Sequence, residues 1–233
     1  MQQLPLGVRL RERATFDAFV VSPANAHAVS RLQELADGGH GVLWLWGAQG
    51  TGRSHLLQAA CAAAPVSNRV GYLPLLGLEA SGEDLLEGAG SLDLLCLDDL
   101  DGRVGGRDFE LAMFGAYRAI DEARHALVVA AAAPPAALPW ALPDLGSRCG
   151  AAEVFQLRPL DDAQQEQALR QRASARGLDL PEETLRYLLR RFPRDMTSLG
   201  RLLEQIDEAS LSAQRRLTVP FVRAIIGDAA GDP

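Results

Sequence analysis

The sequence is short of cysteine, of basic charge and of unbroken apolar runs, and each shortage removes a class of protein. Its three cysteines, Cys61, Cys96 and Cys149, are odd in number, far apart and set among apolar or small residues. That pattern suits neither a disulfide framework nor a cysteine-ligated metal cluster, and it points to a reducing, cytoplasmic compartment. The four histidines, His27, His40, His55 and His125, show no ligand spacing and read as surface or packing residues. A formal net charge of -7 argues against a broad basic face gripping DNA, because neutralised phosphates supply most of such affinity. A local basic patch remains compatible with it. The apolar stretch 126–142 is interrupted by Pro134, Pro135 and Pro139 and has no flanking basic run, so it does not read as a membrane span. No signal peptide is visible. What is present, 48% apolar and 23% charged residues over 233 positions, is the balance of a globular chain with core enough for one large or two unequal domains.

The most informative segment is Gly47-Ala48-Gln49-Gly50-Thr51-Gly52-Arg53-Ser54, which has the form of a phosphate-binding loop with arginine in the usual lysine position. The apolar run Gly41-Val42-Leu43-Trp44-Leu45-Trp46 before it suits a buried parallel strand, and Ser54-His55-Leu56-Leu57-Gln58-Ala59-Ala60 after it is rich in helix formers. Gly47, Gly50 and Gly52 permit the tight path that turns successive backbone N–H groups toward one anion, with the helix start adding partial positive charge. Ser54 supplies a hydroxyl suited to Mg2+. Arg53 keeps the cation but replaces a compact ammonium with a planar fork, so binding of a diphosphate is expected to survive better than hydrolysis.

A second motif, Leu92-Asp93-Leu94-Leu95-Cys96-Leu97-Asp98-Asp99, is an apolar run ending in two carboxylates. As the exit of a central strand it would carry Asp98 toward a metal-bound water beside the phosphate loop, and Asp99 toward the water that attacks. Paired aspartates that merely cap a turn are the alternative.

From Gly41 to about Pro159 strand candidates alternate with helix candidates, the further strands being Val70 to Leu75, Leu92 to Leu97, Leu127 to Ala132 and Val154 to Leu157. This predicts an α/β fold with a parallel sheet flanked by helices. Beyond Pro159 only helices are expected. Asp161 or Asp162 caps one that runs to Arg176 and stops at Gly177; Pro181 opens the next, with Leu185, Leu188, Leu189 and Phe192 as its apolar stripe. A third carries Leu199, Leu202, Leu203 and Ile206, and Thr218 caps a last one with Phe221, Ile225 and Ile226. The expected domains are 13–159 and a small helical one at 160–233, behind a short N-terminal segment, 1–12.

A phosphate loop, a two-aspartate strand and a trailing helical unit together resemble the AAA+ family of P-loop proteins, whose helical unit is a lid. Ala14-Thr15-Phe16-Asp17-Ala18-Phe19-Val20, followed by Asn25, resembles the nucleotide-base box of the replication initiator DnaA, which implies base contacts from Phe16, Phe19 and Val20. Leu142-Pro143-Asp144-Leu145-Gly146-Ser147-Arg148 resembles the initiator's arginine-finger segment, and Leu217-Thr218-Val219-Pro220-Phe221-Val222 is similar to the end of the shorter DnaA-related Hda family, as is Gly52-Arg53-Ser54-His55-Leu56-Leu57. The resemblance covers nearly the whole chain. It implies an Hda-like inactivator of DnaA that is ADP-bound (or ATP-bound) with Mg2+, the nucleotide being held by Gly47, Gly50, Thr51, Gly52, Arg53, Ser54, His55, Asp98 and Asp99 and the metal by Ser54 and Asp98. Arg148 would then act in trans, on ATP held by DnaA. The sequence ends at Pro233, so a helix-turn-helix domain and direct origin recognition are expected to be absent. Near the start, Gln3-Leu4-Pro5-Leu6-Gly7-Val8 resembles the peptide by which the family docks on the DNA polymerase III sliding clamp (β subunit), and so reaches DNA indirectly. Leu4, Leu6 and Val8 at alternate positions of an extended strand would fill an apolar groove while Gln3 sets the register. A homodimer that hides this peptide stays open.

Two positions depart from an active ATPase of this family. The first-sensor strand reads Val128-Val129-Ala130-Ala131-Ala132-Ala133-Pro134-Pro135, with no polar side chain to hold water or a terminal phosphate. The second-sensor arginine falls on Thr197, with Arg194 and Arg201 each about one helical turn away. Both departures favour a bound diphosphate as a structural ligand. An active ATPase such as a helicase loader is the competing reading; a P-loop phosphotransferase using Arg170, Arg172, Arg176, Arg190 and Arg191, and an adaptor needing no nucleotide, are more distant.

Overall fold

The computed structural model of the chain describes residues 14–77, 82–192, 196–213 and 217–226. It divides into two compact units: Gly52–Arg158 with the residues up to Ala48, and the residues from Pro159 onward with the short piece Gln49–Thr51.

Among the described residues the first unit contains five strands, β1 (Gly41–Trp46), β2 (Val70–Pro74), β3 (Leu94–Asp98), β4 (Ala126–Ala131) and β5 (Glu153–Gln156). All pair in parallel, in the order β2-β3-β4-β1-β5. Parallel neighbours need crossovers, which here run through α2 (Arg53–Ala63), the short α3 (Gly82–Leu86), α4 (Arg107–Glu122) and α5 (Pro143–Ala151), while α1 (Ala26–Ala36) comes before β1. The strands' period of two sorts their side chains onto two covered faces. Leu43, Leu45, Leu94, Cys96, Val128 and Ala130 pack with Leu32 and Leu35 of α1 and Leu56 and Leu57 of α2. Trp44, Leu95, Leu97, Leu127, Val129 and Ala131 pack with Met113, Tyr117 and Ile120 of α4 and with Leu145 and Cys149 of α5. A sheet covered on both faces needs apolar side chains at consecutive positions, which is why its strands appear as solid apolar runs. Cys61, Cys96 and Cys149 are buried and free.

Two details differ from expectation. The strand expected from Leu92 starts at Leu94, because the Asp93 carboxylate turns back to accept from the Arg69 backbone N–H at 2.7 Å. Helix α1 precedes the first strand, ahead of Gly41, where the expected alternation begins.

The second unit consists of α6 (Asp162–Ser174), α7 (Glu182–Arg191), α8 (Met196–Ala213) and α9 (Val219–Ile226). Asp161 is the cap of α6: its carboxylate accepts from the Gln164 N–H at 2.8 Å while the Gln164 side chain accepts from the Asp161 N–H at 3.1 Å, a reciprocal capping box. α6 ends at Ser174, short of Arg176, and Gly177 follows with φ +69°. Leu169, Leu185, Leu188, Leu199, Leu203, Ile206 and Val222 form the buried interior of this unit. Leu189 is only half-buried, and Phe192 lies just past the end of α7, edge-on to Tyr187 at 6.5 Å. Thr184 Oγ1 donates to the Leu217 carbonyl at 2.7 Å. Among the described residues no helix is long and apolar enough to cross a membrane.

Candidate functional site

The chain leaves β1 with the Gly47 N–H still donating to the Ala131 carbonyl at 3.3 Å, then turns through Gly50 (φ +83°) and Gly52 (φ +97°) into α2. Both angles lie where a side chain is strained. Gly52 has a second reason to lack one: a Cβ there would stand 2.6 Å from the Phe19 ring. As N-cap of α2 it offers no side-chain oxygen, so the first N–H groups of the helix keep their capacity for an external anion. Phe19 also lies against His55 (ring centroids 5.9 Å apart), and His55 Nε2 is 2.8 Å from the Thr15 carbonyl oxygen. The segment containing Phe16, Phe19 and Val20 is thereby brought against the start of α2. Phe19 and Val20 are buried, and Phe16 is half-buried on the core. Asn25, fully buried, ties the segment before α1 to the chain just past the exit of β5, accepting from the Arg158 N–H at 3.1 Å and donating to its carbonyl.

Strand order places β4 between β1 and β3, so the exits of β1 and β3 lie on one edge about 10 Å apart. Arg53, at the start of α2, spans that gap. Its Nη1 donates to the Gly47 carbonyl at 2.9 Å and its Nη2 to Asp99 Oδ1 at 3.3 Å. The pair is largely screened from solvent, with side chains 11% and 30% exposed. Asp99 sits in the left-handed region (φ 54°), which aspartate tolerates better than most residues. Burial first, and then the neighbouring Asp98 charge, raise the Asp99 pKa above the usual carboxylate range, with Arg53 opposing them. Asp98 is buried at the end of β3. Its Oδ2 accepts from the Tyr72 hydroxyl at 2.7 Å and its Oδ1 from the Asp99 N–H at 3.1 Å, while Gln58 Nε2 donates to the Tyr72 oxygen at 3.1 Å. Burial and the Asp98 charge push the Tyr72 phenol far above its ordinary pKa, so it stays a donor at all ordinary pH. Tyr72 and Gln58 carried no motif; only the β2–β3 register, which sets Tyr72 beside Cys96, brings the phenol to Asp98.

At the exit of β4, between these two strands, the polar contacts are made by backbone: the Ala132 N–H donates to Asp101 Oδ1 at 2.7 Å and Trp44 Nε1 donates to the Ala133 carbonyl at 3.1 Å. Alanine side chains supply nothing further there.

Arg148 lies elsewhere in the unit, on the last turn of α5. It is exposed, it meets no carboxylate among the described residues, and its guanidinium lies over the rings of Phe114 and Tyr117 at 5.3 and 6.0 Å. The approach to α5 is pinned by Glu110, a fully buried carboxylate of α4 that accepts from the backbone N–H groups of Gly105 (2.7 Å), Ala141 (3.1 Å) and Leu142 (2.6 Å). Burial, with the Glu110 charge nearby, pushes the Cys149 thiol up to about 12. Glu110 left no sequence signal, since its partners are backbone groups. Gln3, Leu4, Leu6, Val8 and Arg194 lie outside the described residues, as does the side chain of Thr197; Arg201 is exposed on α8.

Comparison with known proteins agrees with this geometry. The family model described as the lid domain of Hda matches residues 162–226, and that of the bacterial DnaA ATPase domain matches residues 10–74. Domain III of the DnaA replication initiation protein of Thermotoga maritima is similar in structure over 94% of this chain and 98% of that one, with TM-score 0.79 and 20% identity. AMPPCP-bound DnaA from Aquifex aeolicus gives 0.70 over 87% and 68%, at 21% identity. The Thermotoga maritima RuvB Holliday junction branch migration motor gives 0.65 over 91% and 71%, at 16% identity. With a DnaA-type ATPase match over residues 10–74 and an Hda-type lid match over residues 162–226, on a five-stranded parallel sheet, the chain has the AAA+ fold and is similar to Hda and DnaA proteins.

Proposed function

We propose that this chain, a DnaA-related replication regulator, is a regulatory inactivator of DnaA: a cytoplasmic, ADP-bound AAA+ protein that docks on the DNA-loaded sliding clamp and accelerates hydrolysis of ATP bound to DnaA. The observation that carries this reading is Arg148, an exposed guanidinium with no carboxylate partner among the described residues. An arginine that must neutralise charge on another molecule's phosphoryl group has to remain uncommitted in its own, and such a residue is worth roughly 10^3 to 10^5 in rate. Resting on aromatic faces engages the guanidinium without satisfying its five N–H donors.

The chain's own nucleotide is read as a structural ligand. The uncapped start of α2 and the turn through Gly47, Gly50, Thr51 and Gly52 would take a diphosphate, and Phe16, Phe19, Val20 and His55 would cover the base, a reading supported by the contact of Phe19 with Gly52 and His55. Mg2+ fits less directly. Ser54 offers a hydroxyl, but both Asp98 oxygens already accept a hydrogen bond, so Asp98 would act through a metal-bound water, as Mg2+ commonly allows. Hydrolysis here lacks its parts, because Asp99 is paired with Arg53 and the β4 exit is alanine. A ligand held at 100 times its dissociation constant still contributes about 2.7 kcal/mol to folding. Residues 13–159 are read as the nucleotide-binding domain and 160–233 as the lid. Gln3, Leu4, Leu6 and Val8 would engage the clamp and raise the local concentration of inactivator on DNA, as tethering does.

The test is a reconstituted hydrolysis assay containing DnaA with ATP, loaded clamp, primed DNA and this chain, leaving out one component at a time. Phosphate release should collapse when either the clamp or this chain is omitted. Release by this chain alone, with DnaA absent, would instead make it an ATPase in its own right.

A further inference from the structure

The sequence contains no lysine; all 23 of its basic side chains are arginine. Composition alone therefore accounts for an arginine at position 53, but not for where its guanidinium goes. We infer that the Arg53–Asp99 ion pair sets the nucleotide specificity of this site, a diphosphate being accepted with the pair closed and a triphosphate only when it opens. The inference deepens the nucleotide-site reading above and rests on it.

Three features carry it. Arg53 uses two separate nitrogens, Nη1 on the Gly47 carbonyl and Nη2 on Asp99, so one side chain ties the loop's first residue to the exit of β3. An ammonium carries its three donors on one nitrogen and so cannot serve two acceptors from separate nitrogens as this fork does. Next, Asp99 is positioned from behind: its left-handed backbone and its own N–H bond to Asp98 Oδ1 fix the carboxylate at the strand exit, so it cannot readily follow Arg53 elsewhere. Last, the neighbourhood is acidic: Asp98, whose Oδ1 accepts from the Asp99 N–H, and Asp101, two residues on, flank Asp99, and Arg53 is the cation paired with it.

A terminal phosphate drawing Arg53 away would leave two adjacent carboxylates facing an added anion, with like charges close together in a half-buried setting. A diphosphate asks for none of this, because the loop's backbone N–H groups and the start of α2 are independent of the Arg53 side chain. Asp99 is held out of use for as long as the pair is closed, so specificity for diphosphate and silence toward hydrolysis have one physical origin.

The experiment is calorimetric titration of the full chain, stripped of nucleotide, with ADP and with AMPPCP in the presence of Mg2+. It is made on the wild type, on Arg53→Lys and on Asp99→Asn, which keeps a residue that tolerates the left-handed backbone. The wild type should favour ADP, and each variant should shift the ADP-to-AMPPCP affinity ratio toward AMPPCP by about tenfold, the size of one broken ion pair in a half-buried site. Asp99→Asn keeps the inference falsifiable if Arg53→Lys fails to fold. Unchanged ratios in the folded variants overturn the role of the pair while leaving the nucleotide site standing. Wild-type protein that binds neither ligand overturns the nucleotide site and this inference together.

Discussion

Arg53 and Arg148 are the same side chain in opposite circumstances. Arg53 is almost enclosed and satisfied on both arms by its own chain, through Gly47 and Asp99. Arg148 is exposed and leans on Phe114 and Tyr117, where a ring face attracts the charge but accepts no conventional hydrogen bond. A guanidinium spent inside a site closes that site; one left unpaired on a helix end is available to a partner. The difference comes from where each helix begins and ends: Arg53 opens α2 between the exits of β1 and β3, whereas Arg148 closes α5 against the aromatic residues of α4.

The sharpest way to break this contrast is through Glu110, which pins the approach to α5 with three backbone bonds. Glu110→Ala strands three donors, and at about 1–3 kcal/mol for each unsatisfied buried group, partly relieved by water, a loss of about 3–5 kcal/mol is expected. Thermal unfolding measures it, and stimulated hydrolysis below the transition should fall as α5 loosens; an unshifted midpoint would mean that the loop is held by something else. On the inward side, Tyr72→Phe removes one donor from Asp98 and the hydroxyl to which Gln58 Nε2 donates, for about 1–2 kcal/mol in denaturant unfolding. Arg148-dependent stimulation should be untouched by it. The smallest effect belongs to the second unit: Asp161→Ala removes the capping box of α6 for about 1 kcal/mol. Hydrogen exchange should show faster exchange in the first turn of α6 while β1 and β4 keep their protection.

The strands were legible because burial on both faces leaves an unmistakable apolar run, and β1, β2, β4 and β5 fall within one residue of where those runs begin and end. β3 differed at Asp93, whose carboxylate takes a backbone N–H and so belongs to the turn. α1 also leaves a pattern in the sequence: Ala28, Val29, Leu32, Leu35 and Ala36 recur at helical spacing and are all buried. The loop glycines and the two aspartates announced themselves through spacing. Their connections did not. Arg53 was visible as a substitution, but its turn inward toward Asp99 depends on strand order, which places β4 between the loop and the acid. Tyr72 and Glu110 were silent because they act through one register match and through backbone amides, neither of which leaves a pattern along the chain.

The most direct test of the division between these two arginines follows labelled ATP on DnaA in a clamp-loaded reaction, with wild-type chain or Arg148→Ala supplied in its ADP-bound state. The expected result is that the variant binds ADP and melts like the wild type, yet loses roughly 10^3-fold or more of the stimulation. Wild-type stimulation from a folded Arg148→Ala protein would contradict the assignment outright.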